Sequence, residues 1–117
     1  MSLNVLTLDG ETTTCKLGDK HDNSPMNPNN NCVGMWFKKN DAPVQGLVFY
    51  HAEKDVPDDP APLVEALKWA DVIVCHNAKF DIMWLTQMGF EIPPKVFCTM
   101  IAQYIYARGQ IQEKFSL

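Results

Sequence analysis

The sequence predicts a single α/β domain spanning residues 1–117, built on a mixed sheet. Three observations carry this. Short apolar runs rich in β-branched residues recur near residues 5–9, 32–38, 45–51 and 71–76. The second and third of these are separated only by a turn. From Pro62 onward, segments with helical spacing alternate with the last strand-like run.

Val5, Leu6, Thr7 and Leu8, followed by Asp9, read as a buried strand. Residues 15–31 are rich in Asn, Asp, Gly and Pro and offer nothing that builds a core, so they are expected as a long loop. It is either a plain surface excursion or a flap beside a ligand site. Residues 32–38 and 45–51 form two strands. The Asn40-Asp41-Ala42-Pro43 turn between them makes an antiparallel hairpin. Pro62 suits the first turn of a helix whose Leu63, Val64, Ala66, Leu67 and Trp69 recur at helical spacing. Residues 71–76 are a second buried strand. Asn77 is a fitting N-cap for a helix through Phe80, Met83, Trp84 and Met88, which Gly89 would stop. Ile92-Pro93-Pro94 reads as a connector, and residues 99–107 as a last helix before Gly109. Antiparallel strands first, then alternating helix and strand, make the sheet mixed.

Composition narrows the function classes. Hydrophobic residues are 46% and charged residues 21% of the chain, which is ordinary for one globular core. No apolar run approaches the roughly 20 residues of a membrane helix, and no basic-then-apolar stretch marks a signal peptide. A cytoplasmic protein that does not engage membranes is expected. The net charge of −4 argues against nucleic-acid binding by bulk electrostatics. The remaining options are a small-ligand domain, or carboxylates gathered around metal that in turn meets phosphate. Cys15, Cys32, Cys75 and Cys98 lack any Cys-x-x-Cys pairing, so zinc is not expected. Cys75 reads as a small buried hydrophobe.

Two groups of carboxylates draw notice. Asp9 and Glu11 flank Gly10 where the first strand ends, and residues two apart on a strand share a face. They are either solvated acids or a repelling pair that a divalent cation would relieve. Asn77 and Asp81 are either a cap plus an acid favoured by the helix dipole, or part of a site beyond the strand ends. Three carboxylates converging there would suit magnesium or manganese.

Leu8-Asp9-Gly10-Glu11-Thr12 resembles the first motif, Asp-x-Glu, of the DEDD-type 3′→5′ exonucleases. His76-Asn77-Ala78-Lys79-Phe80-Asp81 resembles their second motif, in wording similar to the proofreading domains of phage and bacterial family A DNA polymerases. Cys98-Thr99-Met100 is similar to a following Asp-Thr-Met helix, with Cys98 in place of the Asp. Phe115-Ser116-Leu117 resembles the start of the next family segment.

The resemblance implies a ribonuclease H-like fold and two-metal hydrolysis at DNA 3′ ends, with single-stranded ends as the favoured substrate and RNA as the alternative. It further implies two Mg2+ or Mn2+ ions. Asp9 would bridge both, Glu11 would hold the one activating water, and Asp81 the one beside the leaving 3′ oxygen. Main-chain groups near Gly10 and Thr12 would hold the terminal nucleotide, Phe80 would pack against it or in the core, and Asn77 would orient the second motif. A phage or bacterial host and a linked polymerase domain are implied as well.

The family's third motif, Tyr-x-x-x-Asp or His-x-x-x-Asp, has no counterpart after Asp81, where neither Asp nor His occurs. His51 and Asp55 have that spacing but precede the second motif, and are read as coincidence. The domain is therefore expected to be incomplete at its C-terminus and to have little activity alone. The competing readings are a non-catalytic nucleic-acid or protein-binding domain of the same fold, and an unrelated α/β domain with surface acids.

Overall fold

The computed structural model describes residues 3–50 and 56–107. Its elements are β1 (Val5–Thr12), β2 (Cys15–Leu17), β3 (Lys20–Asp22), β4 (Cys32–Lys39), β5 (Gln45–Val48), α1 (Ala61–Trp69), β6 (Val72–Cys75), α2 (Ala78–Gln87), β7 (Lys95–Cys98) and α3 (Thr99–Tyr106). Five strands form one sheet in the order β5-β4-β1-β6-β7. β4 runs antiparallel to both β1 and β5, whereas β1, β6 and β7 are mutually parallel. The mixed α/β sheet and the β4–β5 hairpin match expectation.

Alternation along β1 explains its central place. Leu6 and Leu8 are buried, while Thr7, Asp9 and Glu11 are exposed. The buried pair joins Met35 and Phe37 of β4 and Ile73 and Cys75 of β6 in one core. That core is closed by Leu63, Ala66 and Leu67 of α1 and by Trp84 and Leu85 of α2. All three α1 residues fall on one helical stripe. Fully burying side chains of this size contributes about 1.5–3 kcal/mol each.

Local signals fix the ends of the helices. At α1, Pro60 is the N-cap, Pro62 lies in the first turn, and the Ala61 N–H donates to Asp59 Oδ1 at 2.9 Å. α2 ends in a Schellman turn. There Phe90 N–H donates to Leu85 O and Gly89 N–H to Thr86 O, both at 3.0 Å. Gly89 adopts φ 89°, which L side chains rarely reach, so a glycine is the natural stop.

Five features differ from the sequence reading. β1 runs three residues further, to Thr12, so Asp9 and Glu11 lie within the strand. Residues 15–31 are not bare loop: β2 and β3 pair, and Asn27 and Asn30 are buried. Asn27 Nδ2 donates to Cys15 O and to Asp22 Oδ1, and its Oδ1 accepts from Asn29 N–H. The excursion is thus folded around side-chain amides instead of apolar groups. The stretch expected as a connector continues into a true strand, β7, at the sheet edge. Asn77 occupies the N-cap position of α2 but makes no side-chain capping bond. Finally, the second hairpin strand, expected to reach residue 51, ends at Val48, with Phe49 and Tyr50 outside it. Residue 51 itself, the His51–Asp55 pair, the Gly109 stop and the segment from Phe115 to Leu117 lie outside the described residues.

Candidate active site

β1 is longer than its parallel neighbour. Pairing with β6 is recorded from Val5–Val72 to Thr7–Val74, and β6 ends at Cys75. Beyond that end, the Gly10 N–H meets a side chain instead of a strand: it donates to Asp81 Oδ1 at 3.3 Å. Asp81 sits in the first turn of α2, directly after β6. The strand order therefore brings together residues 71 positions apart, at the carboxyl ends of β1 and β6, where ligands bind in open α/β sheets.

Asp81 is the one carboxylate in this group taken out of water, with 3% of its surface exposed. Burial raises its pKa from 3.8 to about 6. The Gly10 N–H opposes the rise, the negative charge of Asp9 adds to it, a Cys75 hydrogen bond opposes it, and Glu11 adds to it again. Asp9 and Glu11 are themselves exposed. So the three predicted carboxylates share one electrostatic neighbourhood, one buried and two at the surface.

Gly10 is where β1 meets Asp81. Its amide is taken by Asp81, and a Cβ there would lie 2.9 Å from Met35 Sδ and 3.3 Å from Asp81 Oδ1. The glycine leaves room for the carboxylate. Thr12 is half-buried at the irregular end of β1, where the register with β4 shifts between Glu11 and Thr12. Phe80 is partly buried and packs on the core. Asn77 is exposed, and it reaches Asp81 only through its main-chain oxygen, which accepts from Phe80 N–H at 3.1 Å and Asp81 N–H at 3.2 Å.

A second group of residues escaped sequence reasoning. The β6–α2 turn is bolted to the β7–α3 junction. His76 Nδ1 and Thr99 Oγ1 are 2.9 Å apart, and Met100 N–H donates to His76 O at 3.1 Å. Cys98 Sγ accepts from Ala78 N–H at 3.4 Å and donates to His76 O at 3.3 Å. The only sequence hint was the Cys98-Thr99-Met100 resemblance. Trp84 is buried and donates from Nε1 to Asn23 O, so it anchors the 15–31 excursion to α2. Tyr104 and Tyr106 are exposed on α3.

Oxygen-only donors, one of them made less acidic by burial and by two neighbouring acids, fit a hard divalent cation in chemistry and in charge. Among the described residues, no three His, Cys, Asp or Glu side chains are gathered closely enough to hold a metal by themselves. The fit is that of an open site needing further oxygen ligands, from water, from substrate or from other protein groups.

Residues 48–116, more than half of the chain, match the family model described as 3′-5′ exonuclease. No curated protein matches the chain.

Proposed function

The chain belongs to the 3′-5′ exonuclease family, and from that premise we propose that it carries a ribonuclease H-like fold of the proofreading type. Its substrate is the single-stranded 3′ end of DNA. Asp9, Glu11 and Asp81 would hold Mg2+ or Mn2+. The observation that carries this reading is the buried Asp81 carboxylate, held at the end of β1 next to Asp9 and Glu11. The strand order β5-β4-β1-β6-β7, with β4 alone reversed, supports the fold assignment.

When bound, the cations would supply charge stabilisation at the attacking and leaving oxygens of the phosphodiester. The chain's own contribution is placement. Gly10 keeps Asp81 pointed at the overhang of β1, and strand alternation puts Asp9 and Glu11 together on the face of β1 opposite the one where a Gly10 Cβ would meet Asp81. In the reaction, a water oxygen joins phosphorus while the bond to the leaving 3′ oxygen breaks, releasing one nucleotide. A host polymerase of family A is part of the same proposal.

That no three His, Cys, Asp or Glu side chains among the described residues are gathered closely enough to hold a metal favours a second reading, a non-catalytic binding domain of the same fold. Manganese binding followed by paramagnetic resonance separates the two. The nuclease reading expects binding by the wild-type chain that weakens at least about tenfold in both Asp9→Ala and Asp81→Ala, since each removes a charged ligand worth more than 1.4 kcal/mol. Binding that neither substitution alters would refute the assignment of the site.

A further inference from the structure

We propose that Cys75 and Cys98 are positioning residues for Asp81, one orienting its carboxylate and the other capping the helix that carries it. The inference rests on the exonuclease reading only for its meaning to function. Its structural content stands by itself.

The two cysteines are register partners on the parallel strands β6 and β7. Side chains at matched positions of neighbouring strands share a face. On that face lies the N-terminus of α2, and each thiol does something different there. Cys75 is buried, with 1% of its surface exposed, and its thiol lies beside the Asp81 carboxylate, so that on this proposal its S–H donates to that carboxylate. With the Gly10 N–H, it gives the buried carboxylate two fixed donors.

Cys98 acts one step away. A helix N-terminus leaves its first amides without partners, and a side-chain acceptor from the N-cap residue usually satisfies one. Asn77 does not do so here. Cys98 Sγ, reaching across from β7, accepts the Ala78 N–H and donates to His76 O, pinning both sides of Asn77. The turn between β6 and α2 is therefore held from a neighbouring strand, and Asp81 lies one helical turn further on.

Amide hydrogen exchange in the metal-free full chain tests this, with Gly10 as the reporter and the Leu8 amide as a reference for global opening. Cys75→Ala and Cys98→Ala are expected to speed Gly10 exchange about fivefold or more relative to Leu8, the size of one lost hydrogen bond. Cys75→Ser and Cys98→Ser keep a donor and an acceptor and are expected to stay within about twofold of wild type. Gly10 exchange that tracks Leu8 in the Ala variants overturns the proposal. So do Ser variants as impaired as their Ala counterparts, since packing alone would then explain the loss. Should an Ala variant not fold, the Ser variant of that residue decides.

Manganese titration of the same proteins separates this inference from the function. Wild-type binding that depends on Asp81 but ignores all four cysteine variants sinks the thiol proposal and leaves the nuclease reading standing. No wild-type binding counts against the nuclease reading, and the exchange result then judges the thiols.

Discussion

Replacing Asp81 with Asn is expected to make the metal-free protein more stable at neutral pH, not less. Asn keeps a carbonyl oxygen where the Gly10 N–H donates, and it fills nearly the same volume. What it removes is a buried charge. The Asp81 carboxyl ionises at 3.8 in an unfolded chain and at about 6 in the fold. Between those values the folded protein holds a proton that the unfolded chain releases, so stability falls as pH rises through that window. At 1.36 kcal/mol per pH unit, the ionised form carries a penalty of about 3 kcal/mol, fully present above roughly pH 6 and absent below roughly pH 4.

Urea unfolding of both proteins in chelator, at pH 4 and at pH 7.5, measures this directly. Their difference cancels every other titration they share. Little difference is expected at pH 4. At pH 7.5, Asn is expected to be more stable by on the order of 3 kcal/mol, a midpoint shift of about 1–2 M urea. Adding Mn2+ should then stabilise the wild type and leave the variant unchanged, since a ligand stabilises only the state that binds it. An Asn variant less stable than wild type at pH 7.5, or a difference that is the same at both pH values, would refute the account of Asp81 as a charge held at a cost.

Two further substitutions probe the surroundings. Gly10→Ala would place a Cβ 2.9 Å from Met35 Sδ and 3.3 Å from Asp81 Oδ1. Met35 is fully buried, so repacking should cost about 1–3 kcal/mol in urea melts, and the displaced carboxylate should weaken manganese binding. Asn27→Ala removes the amide that joins Cys15, Asp22 and Asn29. It should cost about 1–3 kcal/mol and open residues 15–31 to limited proteolysis, with little change at Asp81.

Much of the sheet was legible in the sequence because its central strands are apolar where they are buried. β1, β4 and β6 announce themselves through Leu6, Leu8, Met35, Phe37 and Ile73. The helices announce themselves through Pro62 and Gly89. β7 was not legible for the opposite reason. It is four residues long, follows two prolines, and lies at the edge, with Val96 and Phe97 substantially exposed. The organisation of residues 15–31 was hidden because buried asparagines look like loop residues in a sequence. At the site, the motifs pointed to Asp9, Glu11 and Asp81. Their unequal burial could not be read, because it depends on how far β1 overhangs β6. Nor could the roles of Cys75 and Cys98 be read, since they follow from a register between strands 23 residues apart in sequence.

The overhang also bears on why Asp81 is an acid. A strand that outruns its neighbour leaves an amide without a partner, and a buried amide must find one. Structure alone asks only for an acceptor near Gly10 and Cys75. An asparagine would meet that need without desolvating a charge, and without facing the negative charges of Asp9 and Glu11. A carboxylate in this place costs stability that packing and hydrogen bonding do not return. Such local departures from the most stable choice are expected where a site serves binding or chemistry. A divalent cation is the partner that turns the same three charges from a repulsion into an attraction. In a chain of net charge −4, it is also what would let phosphate approach.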